Sequence, residues 1–311
     1  MADIVVTGGA GFIGSHLVDS LVEENEVKVL DDLSTGKKEN IHEEAEFVEV
    51  DITDFEAVKD AIDEPDVVYH LAASAHTRAT SAGWDDPQFD CEVNAKGTIN
   101  VFEAVRQLDM DPKIVYASSA AVYGSPKNPP MSEEHPKDPI SPYGVHKYTG
   151  EKHMRAYCDQ HDLNISAVRI FNTFGERQPR YVMYDFFKKL QEDNTELEVL
   201  GTGRQIRDYC HVDDTVKAFE IVAEKGEKGE AYNLSGENVI SINDLAELMI
   251  EIADLDASYY NTDESWKGDP QRLEADISKL KELGFEPEVG LEEGLERFKE
   301  WFEEKEGEIK N

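Results

Sequence analysis

Cysteine is scarce in this chain of 311 residues: it has three, Cys91, Cys158 and Cys210. They are too few and too scattered for a disulfide framework or a zinc site, and are expected to act as small buried hydrophobes. Basic residues are also short, 31 Lys and Arg against 67 Asp and Glu, for a formal net charge of −36. Such a surface repels polyanions, which argues against nonspecific binding to nucleic acid or to an anionic membrane. It also implies self-repulsion at low ionic strength, which a salt-rich cytoplasm would relieve by screening. Against an extreme-halophile origin, lysine outnumbers arginine, and runs such as Glu43-Glu44 and Glu303-Glu304 read equally well as solvated helix faces. No apolar run reaches membrane-spanning length and nothing after Met1 has a secretory-signal pattern, so a cytoplasmic location is expected. Internal repeats and low-complexity segments are lacking too.

What is present is a regular alternation of strand and helix signals from Asp3 to about Arg169. It implies right-handed strand-helix-strand units, a parallel sheet and helices on both faces. Asp3-Ile4-Val5-Val6-Thr7 is a short β-branched run, and Phe12 to Val22 carries apolar residues at helical spacing, so Gly8, Gly11 and Gly14 fall at a strand-to-helix turn. Gly8 permits the tight turn, Gly11 lets backbone approach a pyrophosphate and Gly14 lets helix pack on strand, with Phe12 and Ile13 in the same turn. The spacing is G-x-x-G-x-x-G, not the commoner G-x-G-x-x-G, and an ordinary structural turn is the plain alternative. About 20 residues on, the strand Glu26 to Leu30 runs into Asp31-Asp32. A carboxylate there accepts ribose hydroxyls of NAD and repels the 2′-phosphate of NADP; an acidic loop is the alternative. The strand Glu46 to Val50 ends at Asp51-Ile52, placed to hold an adenine, and Asp66 to Leu71 ends in small Ala72-Ala73, which leave room for a cofactor. The expected fold is α/β: a Rossmann-type doubly wound parallel sheet over 1–175, with a smaller mixed α/β substrate domain over 176–311, some later segments returning to the first.

Lys113 to Ser118 reads as a central strand, which puts Ser119 at the cofactor crevice. Pro142 suits a helix start, with the helix running to about Gln160, so Tyr143 and Lys147 share one face. A free tyrosine is a poor base at neutral pH, with a pKa of about 10, but a nearby ammonium and a positive nicotinamide favour the phenolate. Ser119 would hold the same substrate oxygen. Singly, a Y-x-x-x-K pair is a common chance spacing and a serine after a strand is usually a turn residue. Together, glycine loop, carboxylate, serine and tyrosine-lysine helix read as a dinucleotide oxidoreductase site with its own proton-transfer group.

With these motifs the chain resembles the extended short-chain dehydrogenase/reductase family. Within it the likeness is to the NAD-dependent nucleotide-sugar epimerase/dehydratase group, most like the UDP-glucose 4-epimerases. It covers nearly the whole length. It includes Asp31-Asp32-Leu33-Ser34-Thr35-Gly36, His70-Leu71-Ala72-Ala73, Asn94 with Gly97-Thr98, the Ser-Tyr-Lys set, Arg169-Ile170-Phe171-Asn172, Gly201-Thr202-Gly203 running on to Arg207-Asp208, and Gly268-Asp269. The resemblance implies tightly held NAD, touched also by Ser34, Thr35 and Gly36, and a C-terminal part that covers a nucleoside-diphosphate sugar. A homodimer is implied as well, its helices near Asn94–Leu108 and Tyr143–Gln160 pairing across a two-fold axis through apolar residues such as Ile99, Phe102, Val105 and Tyr157. Arg207 and Arg272 are expected to clamp the diphosphate, since guanidinium matches phosphate bidentately; surface ion pairing is their alternative. Asn172 is similar to the asparagine that contacts the diphosphate in the family, and Arg177 and Arg180 are further candidates.

Departures from the family pattern bear on the substrate. Leu200 stands where an aromatic often packs near the base, the loop Ser74-Ala75-His76-Thr77-Arg78 differs where the sugar is lined, and His146 replaces a small residue before Lys147. His146 is expected to face solvent, with no role, and His76 reads as a loop residue. In the group's dehydratases and decarboxylases an acidic residue follows the catalytic Ser or Thr; here Ala120 and Ala121 fill that segment. The simplest reaction is therefore oxidation at C4 and return of the hydride to the opposite face of a UDP-hexose. A 4,6-dehydratase or net dehydrogenase shares every cofactor motif, and a nucleotide-sensing binding protein without turnover is the reading from another class.

Overall fold

The computed structural model describes residues 1–74, 83–108, 111–262 and 270–310. The first half runs β1 (Asp3–Thr7), α1 (Phe12–Leu21), β2 (Glu26–Asp31), β3 (Glu46–Glu49), α2 (Phe55–Ile62), β4 (Val67–His70), α3 (Pro87–Cys91), α4 (Thr98–Gln107), β5 (Lys113–Ser119), α5 (Pro142–His161) and β6 (Ile165–Ile170). There follow β7 (Asn172–Phe174), α6 (Tyr181–Glu192), β8 (Glu196–Val199), β9 (Ile206–His211), α7 (Val212–Lys225), β10 (Ala231–Leu234), β11 (Asn238–Ser241), α8 (Ile242–Ile252), β12 (Ser258–Asn261), β13 (Arg272–Leu273), α9 (Ser278–Glu282) and α10 (Leu291–Glu306).

Seven strands form a parallel sheet in the order β10-β6-β5-β4-β1-β2-β3. The chain runs outward from β1 in both directions, so a crevice opens at the C-terminal ends of β1 and β4. The sequence of β5 explains its central place: Lys113 to Ser118 are all buried, as a strand covered by helices on both faces must be. Leu17 and Val18 of α1 pack with Phe219 and Val222 of α7 on one face. Val58 of α2, Val101 and Phe102 of α4 and Met154 of α5 fill the other. Each such side chain, fully buried, contributes about 1.5–3 kcal/mol.

Beyond residue 175 the chain still serves the sheet, because α7 packs on α1 and β10 extends it beside β6. The rest builds a smaller layer. β9 pairs with β7, β11 and β13, β8 pairs with β12, and Phe187, Leu190, Met249, Phe298 and Phe302 form the core between α6, α8 and α10.

Two expectations are corrected here. Phe102 and Val105, read as subunit-facing, are fully buried in the core of their own chain, because periodicity marks an apolar face without saying what covers it. Cys91 is exposed, while Cys158 and Cys210 are buried; it ends the short α3 on its solvent side. Among the described residues, no helix is long and apolar enough to cross a membrane.

Candidate active site

The first turn is shaped by backbone proximity. Gly8 has φ +75° and a Cβ on it would lie 2.6 Å from the Ala72 nitrogen; a Cβ on Gly14 would lie 2.1 Å from the Gly8 oxygen. Glycine is therefore needed at both, for conformation at one and for approach at the other. α1 starts at Gly11 with no side-chain cap and no acidic residue in its first turn, so its N-terminal N–H groups and partial positive charge face the crevice. Asp31 closes the turn from β2: its carboxylate accepts from the Ala10 N–H at 3.0 Å and the Leu33 N–H at 2.8 Å. Burial pushes its pKa up, against those two donors. Asp32 accepts from the Ser34 N–H and hydroxyl, and Asp51 from the Thr53 N–H.

A cavity of about 940 Å³ runs from this turn across the sheet end. Gly8, Gly11, Phe12, Ile13 and Gly14 line it, followed by Asp31, Asp32, Ser34 and Thr35, then Asp51 and Ile52, then Leu71, Ala72 and Ala73. Gly36 does not reach the cavity surface; it packs behind, where a Cβ would touch Ala10 and Asp31. A side-chain-free turn, an uncapped helix N-terminus and a carboxylate at the next strand end fit a dinucleotide.

Ser119, Tyr143 and Lys147 line the same cavity. Ser119 ends β5, its Oγ accepts from the Ala121 N–H at 3.2 Å, and its hydroxyl favours the ionised form of Tyr143. Ser141, one residue before Pro142 and two before Tyr143, caps α5 by accepting from the Gly144 N–H, so the helix starts at Pro142. Burial pushes the Tyr143 phenol well above its ordinary value; the Ser119 hydroxyl and the charge of Arg180 oppose this. Lys147, 2% exposed, donates to the Ala117 carbonyl at 2.9 Å and lies 5.9 Å from the Tyr143 ring centre. Its own pKa is lowered to about 8, chiefly by burial.

Several supports had no role assigned from the sequence, although His70, Asn94 and Arg169 belong to the stretches that carry the family resemblance. Gly144 and Gly150 sit inside α5, where glycine weakens a helix. A Cβ on the first would meet the Ala121 carbonyl at 2.5 Å, and one on the second the Tyr116 hydroxyl at 2.4 Å, so they let the helix seat against β5. Arg169 binds Glu151 bidentately at 2.8 and 2.7 Å, and Ser118 donates to the same carboxylate at 2.6 Å. His70 bridges Thr7 and Thr98 with both ring nitrogens and is held neutral by burial, its pKa pushed down to about 3. Asn94 lies in a π-helical turn, Glu92–Gly97, and grips the backbone of Ser74 through both amide atoms.

At the far end of the cavity stand Asn172, Arg180, Arg207 and Leu200. Asn172 donates to the Asp208 carbonyl at 3.0 Å, and Arg207 donates to the carbonyls of Ile206 and Pro270. Arg272 is not among the residues that line the cavity; its guanidinium pairs with Glu274 at 2.5 Å. Arg177 pairs with Asp19 at 2.7 Å, also off the cavity. His146 does not face solvent: it contacts Asp90 at 2.5 Å. His76, Arg78 and Gly268-Asp269 lie outside the described residues.

Residues 4–235 match the model of the NAD dependent epimerase/dehydratase family. A Methanocaldococcus jannaschii protein, provisionally named a UDP-glucose 4-epimerase, is 39% identical over 306 residues, 96% of this chain and 97% of that one. The solved UDP-glucose 4-epimerase of Thermotoga maritima with UDP-glucose is 35% identical, with TM-score 0.89 over 97% of this chain and 99% of that one. A UDP-N-acetylglucosamine 4-epimerase of Methanobrevibacter ruminantium, in complex with UDP-N-acetylmuramic acid, is 30% identical, with TM-score 0.90 over 98% and 99%. NAD is the cofactor, and the residues of the glycine turn fit it. The chain belongs to the NAD dependent epimerase/dehydratase family.

Proposed function

We propose that this protein is a nucleotide-sugar 4-epimerase acting on a UDP-hexose, of which UDP-glucose and UDP-galactose are the nearest choices. The observation that carries the reading is the turn after β5. Ser119 and Tyr143 face one cavity, while Ala120 and Ala121, beside Ser119 on its wall, bring no carboxylate to the place where elimination at C5 would need one. When bound, NAD⁺ supplies the hydride acceptor and donor at C4 and, through its positive ring, the charge that favours the Tyr143 phenolate. Tyr143 takes the proton of the 4-hydroxyl and returns it to the re-formed alcohol. Ser119 orients that oxygen, and Lys147, fixed on the Ala117 carbonyl, holds its ammonium beside the phenol. The 4-keto sugar turns about its diphosphate tether between the two transfers. Small Ala120 and Ala121 leave it room, and Asn172, Arg180 and Arg207 stand where the nucleotide would be anchored.

Substrate deuterated at C4 tests this. Epimer that keeps the label, with no solvent deuterium at C5 or C6, is expected. Deuterium at C5, or a 4-keto-6-deoxy product, would make the protein a dehydratase instead.

A further inference from the structure

Asp90 and His146 meet beside the reacting set, and the chemistry so far uses neither. Asp90 lies on α3 with a side chain 4% exposed; His146 lies on α5 between Tyr143 and Lys147, 14% exposed. The His146 Nδ1 is 2.5 Å from one Asp90 oxygen. A carboxylate this far from water requires a partner. Its other oxygen faces Gly83, where a Cβ would come within 2.7 Å of Asp90 Oδ2 and 3.0 Å of the Tyr143 nitrogen. Only a bare backbone, at φ +91°, therefore separates the carboxylate from the turn that carries the phenol. Trp84 and Phe89, on the same stretch of chain as Asp90, line the active-site cavity.

We propose that Asp90 and His146 form a charge-compensating pair that ties the α3 wall to the catalytic helix and sets the electrostatic field at Tyr143. Asp90 opposes the phenolate and favours the Lys147 ammonium. The His146 ring N–H draws the carboxylate's charge away from the phenol, and does so more strongly when protonated. Other groups share this field. Arg180 and Tyr181, at the start of α6, act on Tyr143. His70 of β4 and Tyr116 of β5 face Lys147, and the π-helical turn carries Glu92 and Lys96, both exposed. Of the elements packed on the pair, α3 brings no further charge inward, since Asp86 is its exposed N-cap. His146 is thus a positioning residue acting through Asp90, and a change of charge at either one is felt at the phenol.

The proposal rests on Tyr143 as the proton-transfer group of the proposed reaction, and not on which sugar is turned over. Phenolate absorbance, titrated in the NAD⁺ complex without sugar and corrected with the matching Tyr143→Phe protein, reads it directly. Asp90→Asn removes a negative charge and should lower the Tyr143 midpoint by about one pH unit, while His146→Ala should raise it. The double variant should match Asp90→Asn, because His146 has nothing left to compensate. Opposite shifts of this kind cannot come from a merely structural latch. Shifts in the same direction, or none, overturn the proposal. If Asp90→Asn does not fold, His146→Gln keeps a neutral donor and should raise the midpoint less than His146→Ala does; a lowered or unchanged midpoint overturns it equally. An absence of epimerase turnover with the opposite shifts intact would count against the proposed reaction alone.

Discussion

Lys147 is a cation held away from water, and burial lowers its pKa to about 8. Between that value and the ordinary value of about 10.4 the unfolded chain binds more protons than the folded one, so stability contributed at this residue rises with pH across the interval. Lys147→Met removes the titration. The difference in unfolding free energy between wild type and variant should grow in favour of wild type from about pH 8 to about pH 10, measured by urea unfolding. A difference that does not change with pH would mean the ammonium is better solvated than its burial indicates. The pairing of Tyr143 with Lys147 was legible from a spacing of four, because helix geometry alone puts both on one face. The proton affinity of the phenol was not. The sequence suggested a lysine that lowers it, whereas in the fold burial raises it, opposed by Ser119 and Arg180. Desolvation depends on every neighbour, and no local pattern encodes it.

At the scale of the element, α5 is placed by contacts that its own sequence hardly announces. Glu151, one turn past Lys147, and Arg169 on β6 form a buried bidentate pair that also holds Ser118, next to Ser119. Tyr123 and Asn233 extend it toward β10. Arg169→Met leaves Glu151 buried without its cation, which costs roughly 3–5 kcal/mol, far above the 0–1 kcal/mol of an exposed pair. Urea unfolding should show that loss, with much of it regained when Glu151→Gln is added. A loss below about 1 kcal/mol would place the pair in solvent contact. Helix bounds fare better as sequence signals, since Pro142 marks the start of α5 by local chemistry, with the Ser141 cap completing it in the fold.

For the whole molecule, the charge of −36 sets the solution behaviour. Repulsion among surface carboxylates is screened within about 10 Å at 0.1 M salt and about 3 Å at 1 M. The melting temperature should therefore rise as potassium chloride is raised from about 0.1 M to about 1 M. A flat or falling curve would show that local ion pairs such as Lys188–Glu306 and Lys281–Glu237 already offset the repulsion. Light scattering across the same series checks the expected homodimer, which would bury one self-complementary patch on each copy.

The sequence by itself determined the parallel sheet, the glycine turn and the gathering of Ser119, Tyr143 and Lys147 on one cavity wall. Alternation of strands and helices, glycine at a strand-helix junction and a spacing of four are local or periodic features, and their geometry follows from the backbone. Tertiary structure alone decided which arginines face the cavity. Arg207 and Arg272 are the same residue type in similar acidic surroundings, yet β9 turns one toward the cavity and β13 leaves the other on Glu274. It likewise brought Asp90 to His146 across 56 residues of chain. Such contacts depend on where two elements pack, and that position is settled by the whole core rather than by either segment.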